Sequence, residues 1–192
     1  MPKVVDHEQR RRELIEATWA VVASEGLDAL TMRRVAEEAA CTTGRITHYF
    51  EDRDELLVAA LGRAHEAAGE RTLAAFASES DPRRRLRAVL EQALPLDATS
   101  TKEWKVWIAF WAVATTDARL AREDARRYRE WNSLLGETLS GLVSAQRVDE
   151  LARILIAAID GLGLRAAIHP GAATRRSVLA TLDALLDRLA LR

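Results

Sequence analysis

The chain has 192 residues, 48% of them hydrophobic, and Ala, Leu, Arg and Glu dominate while Gly and Pro are few, so the composition predicts an all-α fold with one medium or two small cores. No apolar run approaches the roughly 20 residues that span a bilayer, and the opening MPKVVDHEQRRR lacks the apolar core of a signal peptide, so a cytoplasmic protein without a membrane partner is expected. The single cysteine, Cys41, excludes an intrachain disulfide and a Cys-based metal cluster, and the net charge of −1 gives no pointer to nucleic acid.

In chain order, a first helix is predicted over about residues 7–24, with Leu14, Ile15, Thr18, Val21 and Val22 as its apolar stripe and Gly26 as its C-cap. Thr31 caps a second helix whose Met32, Val35, Ala36 and Ala39 recur at helical spacing, and Ala40-Cys41-Thr42 breaks it. A third, short helix capped by Thr42 or Thr43 buries Ile46 and Phe50 and turns Arg45, Thr47, His48 and Tyr49 outward. That layout is a helix-turn-helix, with a second helix short enough for a DNA major groove. Cys41, in the turn, reads either as a small buried residue or as a redox-sensing thiol.

Asp52 caps a fourth helix that carries Leu56, Leu57, Ala60 and Leu61 toward the core and runs well past Ala64. Residues 78–82 make a polar break in which Asp81 caps and Pro82 takes the first helical position. Leu86, Val89, Leu90 and Ala93 continue a helix that Pro95 stops. A loop over residues 97–101 precedes an aromatic helix over about 102–115, and Asp117 caps a long charged helix to about residue 142. Two final helices are predicted near residues 148–168 and 173–191, parted by His169-Pro170-Gly171.

About 55 residues of the N-terminal part resemble the tetracycline-repressor (TetR) family in unbroken register. The matching features are the basic Arg10-Arg11-Arg12, then Gly26, the apolar stretch over residues 27–30, Thr31, Val35-Ala36, Gly44, His48-Tyr49-Phe50 and the stretch from Asp52 to Leu57. The family often has Tyr where this chain has Thr47, which leaves the contact at that position open. The resemblance implies a helix-turn-helix domain over residues 1–52 and a helical regulatory and dimerisation domain over residues 53–192. It implies a repressor that binds double-stranded, palindromic operator DNA as a homodimer, uses no cofactor, and is released by a small-molecule effector. Residues 1–65 hold nine Lys and Arg against twelve Asp and Glu, a net of −3, so phosphate contact must come from local basic clusters.

Carried over residue by residue, the resemblance makes Arg33 and Arg45 candidates for base contact, since Arg can bond a guanine edge through two donors. It makes Thr43 and Thr47 candidates for a base edge or a thymine methyl, and Thr31, His48, Tyr49 and Arg53 candidates for phosphates. At the C-terminus, Leu155, Ile159 and Leu162 on one helix and Leu182 and Leu186 on the next form apolar faces. The family packs this pair against its copy in a second subunit; an intrachain hairpin is the other reading.

Trp104, Trp107, Trp111 and Trp131 lie close together in the chain, with Phe110 and Tyr128 among them, and the first three share one helical face. Plain core, effector pocket and a share of the dimer interface all remain open for this cluster. MPKV, THYF and DGLGLRAAIHPG are similar to the betaine-pathway branch of the family, which responds to choline. Aromatic faces attract quaternary ammonium groups, and Glu103 or Asp117 stands near enough in sequence to supply a countercharge. Enzymatic readings fail: His65-Glu66 begins a zinc-protease motif, but Gly69 stands where the second His is required, and Gly161-Leu162-Gly163 lies in a helix rather than after a strand. The remaining alternative is a helical interaction module without DNA binding.

Overall fold

The computed structural model describes residues 7–189; the opening MPKV and the last two residues of the expected final helix, 190–191, lie outside them. Nine helices make up the described chain: α1 (His7–Glu25), α2 (Met32–Glu38), α3 (Thr43–Ile46), α4 (Arg53–Ser78), α5 (Pro82–Gln92), α6 (Ala98–Ala114), α7 (Ala118–Leu139), α8 (Ala145–Ile168) and α9 (Ala172–Arg188). The all-α reading holds throughout this span, in which no strand forms.

Side-chain oxygens set most of the helix starts, each satisfying backbone N–H groups that have no partner inside the helix. Thr31 accepts from the Arg34 N–H at 3.0 Å, Asp52 from Glu55 at 2.8 Å and Asp81 from Arg84 at 2.8 Å. Asp117 accepts from Arg119 at 2.7 Å and Leu120 at 3.2 Å. Helix α6 begins at Ala98, earlier than the sequence suggested, because Asp97 and Ser100 form a reciprocal capping box. Gly26, at φ +87°, closes α1 in a conformation that suits glycine.

Two hydrophobic clusters organise the chain. One joins Leu14, Val21 and Val22 of α1 to Val35, Ile46 and Phe50, and to Leu56, Leu57, Ala60 and Leu61 of α4. It is closed by Val106, Ala109 and Phe110 of α6 and Leu120 of α7. The core of the head therefore crosses the 52/53 boundary drawn from the sequence. The other cluster fills the body with Leu86, Val89 and Leu90 of α5, Trp104, Leu135 and Leu139, and the inner faces of α8 and α9. Lys105 Nζ donates to the Ala23 carbonyl at 2.6 Å, tying α6 to the end of α1.

Candidate functional site

The head presents its polar side chains around a very short third helix. After α3 the chain turns through Thr47, His48 and Tyr49, while Ile46 and Phe50 are fully buried and pin the segment from beneath. Thr43, Arg45, Thr47 and His48 are exposed, and the Arg45 guanidinium has no ion-pair or hydrogen-bond partner among the described residues. Arg33 is exposed and holds Glu37 at 3.0 Å, whereas its neighbour Arg34 is committed to Glu25 and Glu38. Thr31 caps α2, and Arg53 reaches Asp54 at 3.5 Å.

One head residue escaped the sequence reading. His7, at the start of α1, meets the far end of the reading segment: its Nδ1 lies 3.2 Å from the Tyr49 hydroxyl, and its ring centroid is 6.1 Å from that of His48. His48 in turn packs edge-on to Tyr49 at 5.1 Å. The contact spans 42 residues of chain, so no local pattern announces it.

The body encloses a cavity of about 300 Å³ between α4, α6, α7 and α8. All four tryptophans singled out in the sequence, Trp104, Trp107, Trp111 and Trp131, line it. Trp111 stands 5.8 Å from both Trp104 and Trp107, edge-on to the first and tilted to the second. The indole N–H of Trp104 donates to the Ala93 carbonyl at 2.9 Å, and that of Trp111 to Asp124 at 3.0 Å. Both rings are thus anchored through their N–H edges.

Charges in and behind this wall fall into two groups. Glu103 is held by both terminal nitrogens of Arg71, at 2.7 and 2.5 Å. Glu130 meets His65 at 2.9 Å and Arg126 at 2.5 Å. Among the described residues, by contrast, Asp160 accepts only the Tyr128 hydroxyl at 2.6 Å, and Asp124, behind the wall, only the Trp111 indole. Burial raises the pKa of both carboxyls, because low-dielectric surroundings disfavour the ion. Burial followed by the nearby Arg127 charge lowers His65, and burial followed by the bond to Asp160 keeps Tyr128 protonated. Arg127 is itself buried, pairs with Glu123 at 2.6 Å and leaves its Nε–H without an acceptor. Asp117 is absent from the wall and spends its carboxylate capping α7.

The residues expected at a dimer interface fall on the inner faces of the C-terminal helices. Leu155, Ile159, Leu182 and Leu186 are buried within the chain's own core, Ile159 also touches the cavity, and Leu162 is half-buried against the same core. Helix α8 is apolar on two faces. Its outward face carries Ile154, 41% exposed, Leu164, 39%, and Ile168, 57%, with the small Ala157 and Gly161 between them.

Two family models match the chain: "Bacterial regulatory proteins, tetR family" over residues 14–60, and "BetI-type transcriptional repressor, C-terminal" over residues 82–191. The HTH-type transcriptional regulator BetI of Burkholderia ambifaria is 34% identical over 190 residues, covering 98% of each chain. The HTH-type transcriptional regulator PksA of Bacillus subtilis is 31% identical over 180 residues, covering 88% of this chain and 84% of its own. Among solved structures, a transcriptional regulator from Saccharomonospora viridis in complex with choline superimposes with a TM-score of 0.86 at 25% identity, covering 96% of this chain and 99% of its own. These relatives are regulators, not enzymes. With its helix-turn-helix head and helical body, the chain belongs to the TetR family of DNA-binding transcriptional regulators and carries the C-terminal domain of the BetI-type repressors.

Proposed function

We propose that the protein represses transcription as a homodimer on a palindromic operator and releases it when a small organic cation occupies the tryptophan cavity. The observation that carries this reading is the cavity itself: four indoles surround a space of about 300 Å³ whose wall includes a carboxylate, Asp160, without a cationic partner. Each aromatic face adds about 0.5–2 kcal/mol toward an onium group. The choline held by the Saccharomonospora regulator supports the same ligand class.

On DNA, Arg33 and Arg45 read base edges, Thr43 and Thr47 contact a base edge or a thymine methyl, and Thr31, His48, Tyr49 and Arg53 grip phosphates. Two heads are joined across the outward face of α8 by Ile154, Ala157, Gly161, Leu164 and Ile168, the apolar surface left over when α8 has packed on its own core.

The test selects bound sequences from random DNA with the purified protein, then follows release of the selected DNA and tryptophan fluorescence as choline is added. A palindromic site released by choline with concurrent quenching is expected. Quenching by flat hydrophobic compounds, with no response to choline, would discard the cation and keep the regulator. Selected DNA that no tested compound releases would leave the tryptophans as core.

A further inference from the structure

Among the described residues, Asp160 is the one carboxylate lining the tryptophan cavity that has no cationic partner. Glu103 is neutralised by the paired nitrogens of Arg71, and Glu130 by Arg126 beside His65. Asp160 accepts a single hydrogen bond, from the phenol of Tyr128 at 2.6 Å, which is neutral and leaves its charge unanswered. Its other oxygen has no donor among the described residues. The nearest comparable carboxylate, Asp124, is turned toward the Trp111 indole and does not line the cavity. Arg127, the buried cation of the same wall, is paired with Glu123.

We infer that Asp160 is the counter-ion that selects a positively charged effector over a neutral one of the same shape, with Tyr128 as the residue that positions it. This rests on the reading of the cavity as an effector site for an organic cation. The tryptophan faces contribute to any onium group but also accept its uncharged carbon isostere through ordinary apolar contact. The ring faces favour the charged form in part, and a full opposite charge widens that preference; Asp160 is the residue placed to supply it. The placement has a further consequence. Asp160 sits on α8, whose outward face bears Ile154, Leu164 and Ile168, so a cation drawn to this carboxylate acts directly on the helix that carries the exposed apolar surface.

The experiment compares choline with 3,3-dimethylbutan-1-ol, its neutral carbon isostere, by tryptophan fluorescence and calorimetry on the full chain. The unmodified protein should prefer choline by about tenfold or more, as expected for a contact to a charged group. In Asp160→Asn that preference should shrink by about tenfold, to the part the indoles supply, while the neutral alcohol binds as before and shows that the cavity is intact. Should Asp160→Asn melt too early to titrate, Asp160→Glu and Tyr128→Phe decide. The first keeps the charge and must keep the preference, and the second frees the carboxylate and must weaken choline severalfold while sparing the alcohol. A preference for choline that is undiminished in Asp160→Asn, or that is lost in Asp160→Glu, overturns the assignment while leaving the cavity as effector site. Choline and alcohol binding equally to the unmodified protein, or choline not binding at all, overturns the assignment together with the cation reading.

Discussion

Replacing Gly163 by Ala adds one methyl group where α8 packs directly against the Trp104 indole. A Cβ built there would lie 2.0 Å from Cζ2 and 2.1 Å from Cη2 of Trp104, against an ordinary contact of 3.4 Å or more, so the indole must retreat by about 1.4 Å. It has little room to do so. Trp104 is only 7% exposed, is held by its N–H on the Ala93 carbonyl and packs on Trp111. Forcing a methyl into such a site costs about 1–3 kcal/mol, and loss of the hydrogen bond adds about 1 kcal/mol. The higher helix propensity of Ala returns about 1 kcal/mol. The net loss of about 1–3 kcal/mol should lower the melting temperature by about 3–10 °C in a chain of this size. Thermal unfolding followed by circular dichroism measures it, and Trp104→Leu in the same background should recover part of the loss, because the two sites are in contact. A Gly163→Ala variant that melts at or above the unmodified protein, with unchanged tryptophan emission, would refute the packing argument.

Ile168→Glu, placed on the outward face of α8, should shift sedimentation from a dimer to a 21.3 kDa species with helicity retained, whereas Leu182→Glu, fully buried, should unfold the chain. Arg45→Ala should flatten the preference at one operator position by about 1–3 kcal/mol, while Tyr49→Phe should weaken all sequences alike; competition binding against a panel of single-base variants separates the two. His65 is held below its ordinary pKa of 6.5 by burial and Arg127, against the pull of Glu130 and with Arg126 adding to the depression. The unfolded chain therefore binds the extra proton first, so this contribution to stability is complete above pH 6.5 and is lost as pH falls toward the depressed value. Melting temperatures at pH 7.5 and 5.5 should differ less in His65→Gln than in the unmodified protein.

Caps were the most legible part of the sequence, because an Asp or Thr and the N–H it satisfies lie within three residues of one another. Thr31, Asp52, Asp81 and Asp117 all act where the pattern put them. The exception is instructive: residues 97–101 read as a loop from their small polar composition, yet Asp97 and Ser100 are the two halves of a capping box. The tryptophan spacing placed three rings on one side of α6, and the fold brought Trp131 across from α7 to join them. Periodicity could not say which apolar face of α8 turns inward, since both faces carry Leu, Ile and Ala; that choice depends on what α6, α7 and α9 present. The countercharge was equally hidden. Glu103 and Asp117 stood close to the tryptophans in sequence, but Asp160 arrives from a different helix, and Glu103 is silenced by an arginine 32 residues away.

Helix α4 runs for 26 residues without a break, about 39 Å at 1.5 Å per residue. Its first turns hold Leu56 and Leu57 in the head, and its later turns supply His65, Gly69, Arg71 and Thr72 to the cavity wall. A stiff rod shared in this way converts angle into distance: a tilt of about 5° forced at the cavity displaces the far end by about 3 Å. Operator half-sites are spaced along the duplex in steps of about 34 Å per helical turn, and a base-edge hydrogen bond fails once its partners separate by a fraction of that displacement. On the proposed function, this leverage needs no hinge and no unfolding, only a ligand slightly too wide for the angle at which the two heads of the proposed dimer fit the groove.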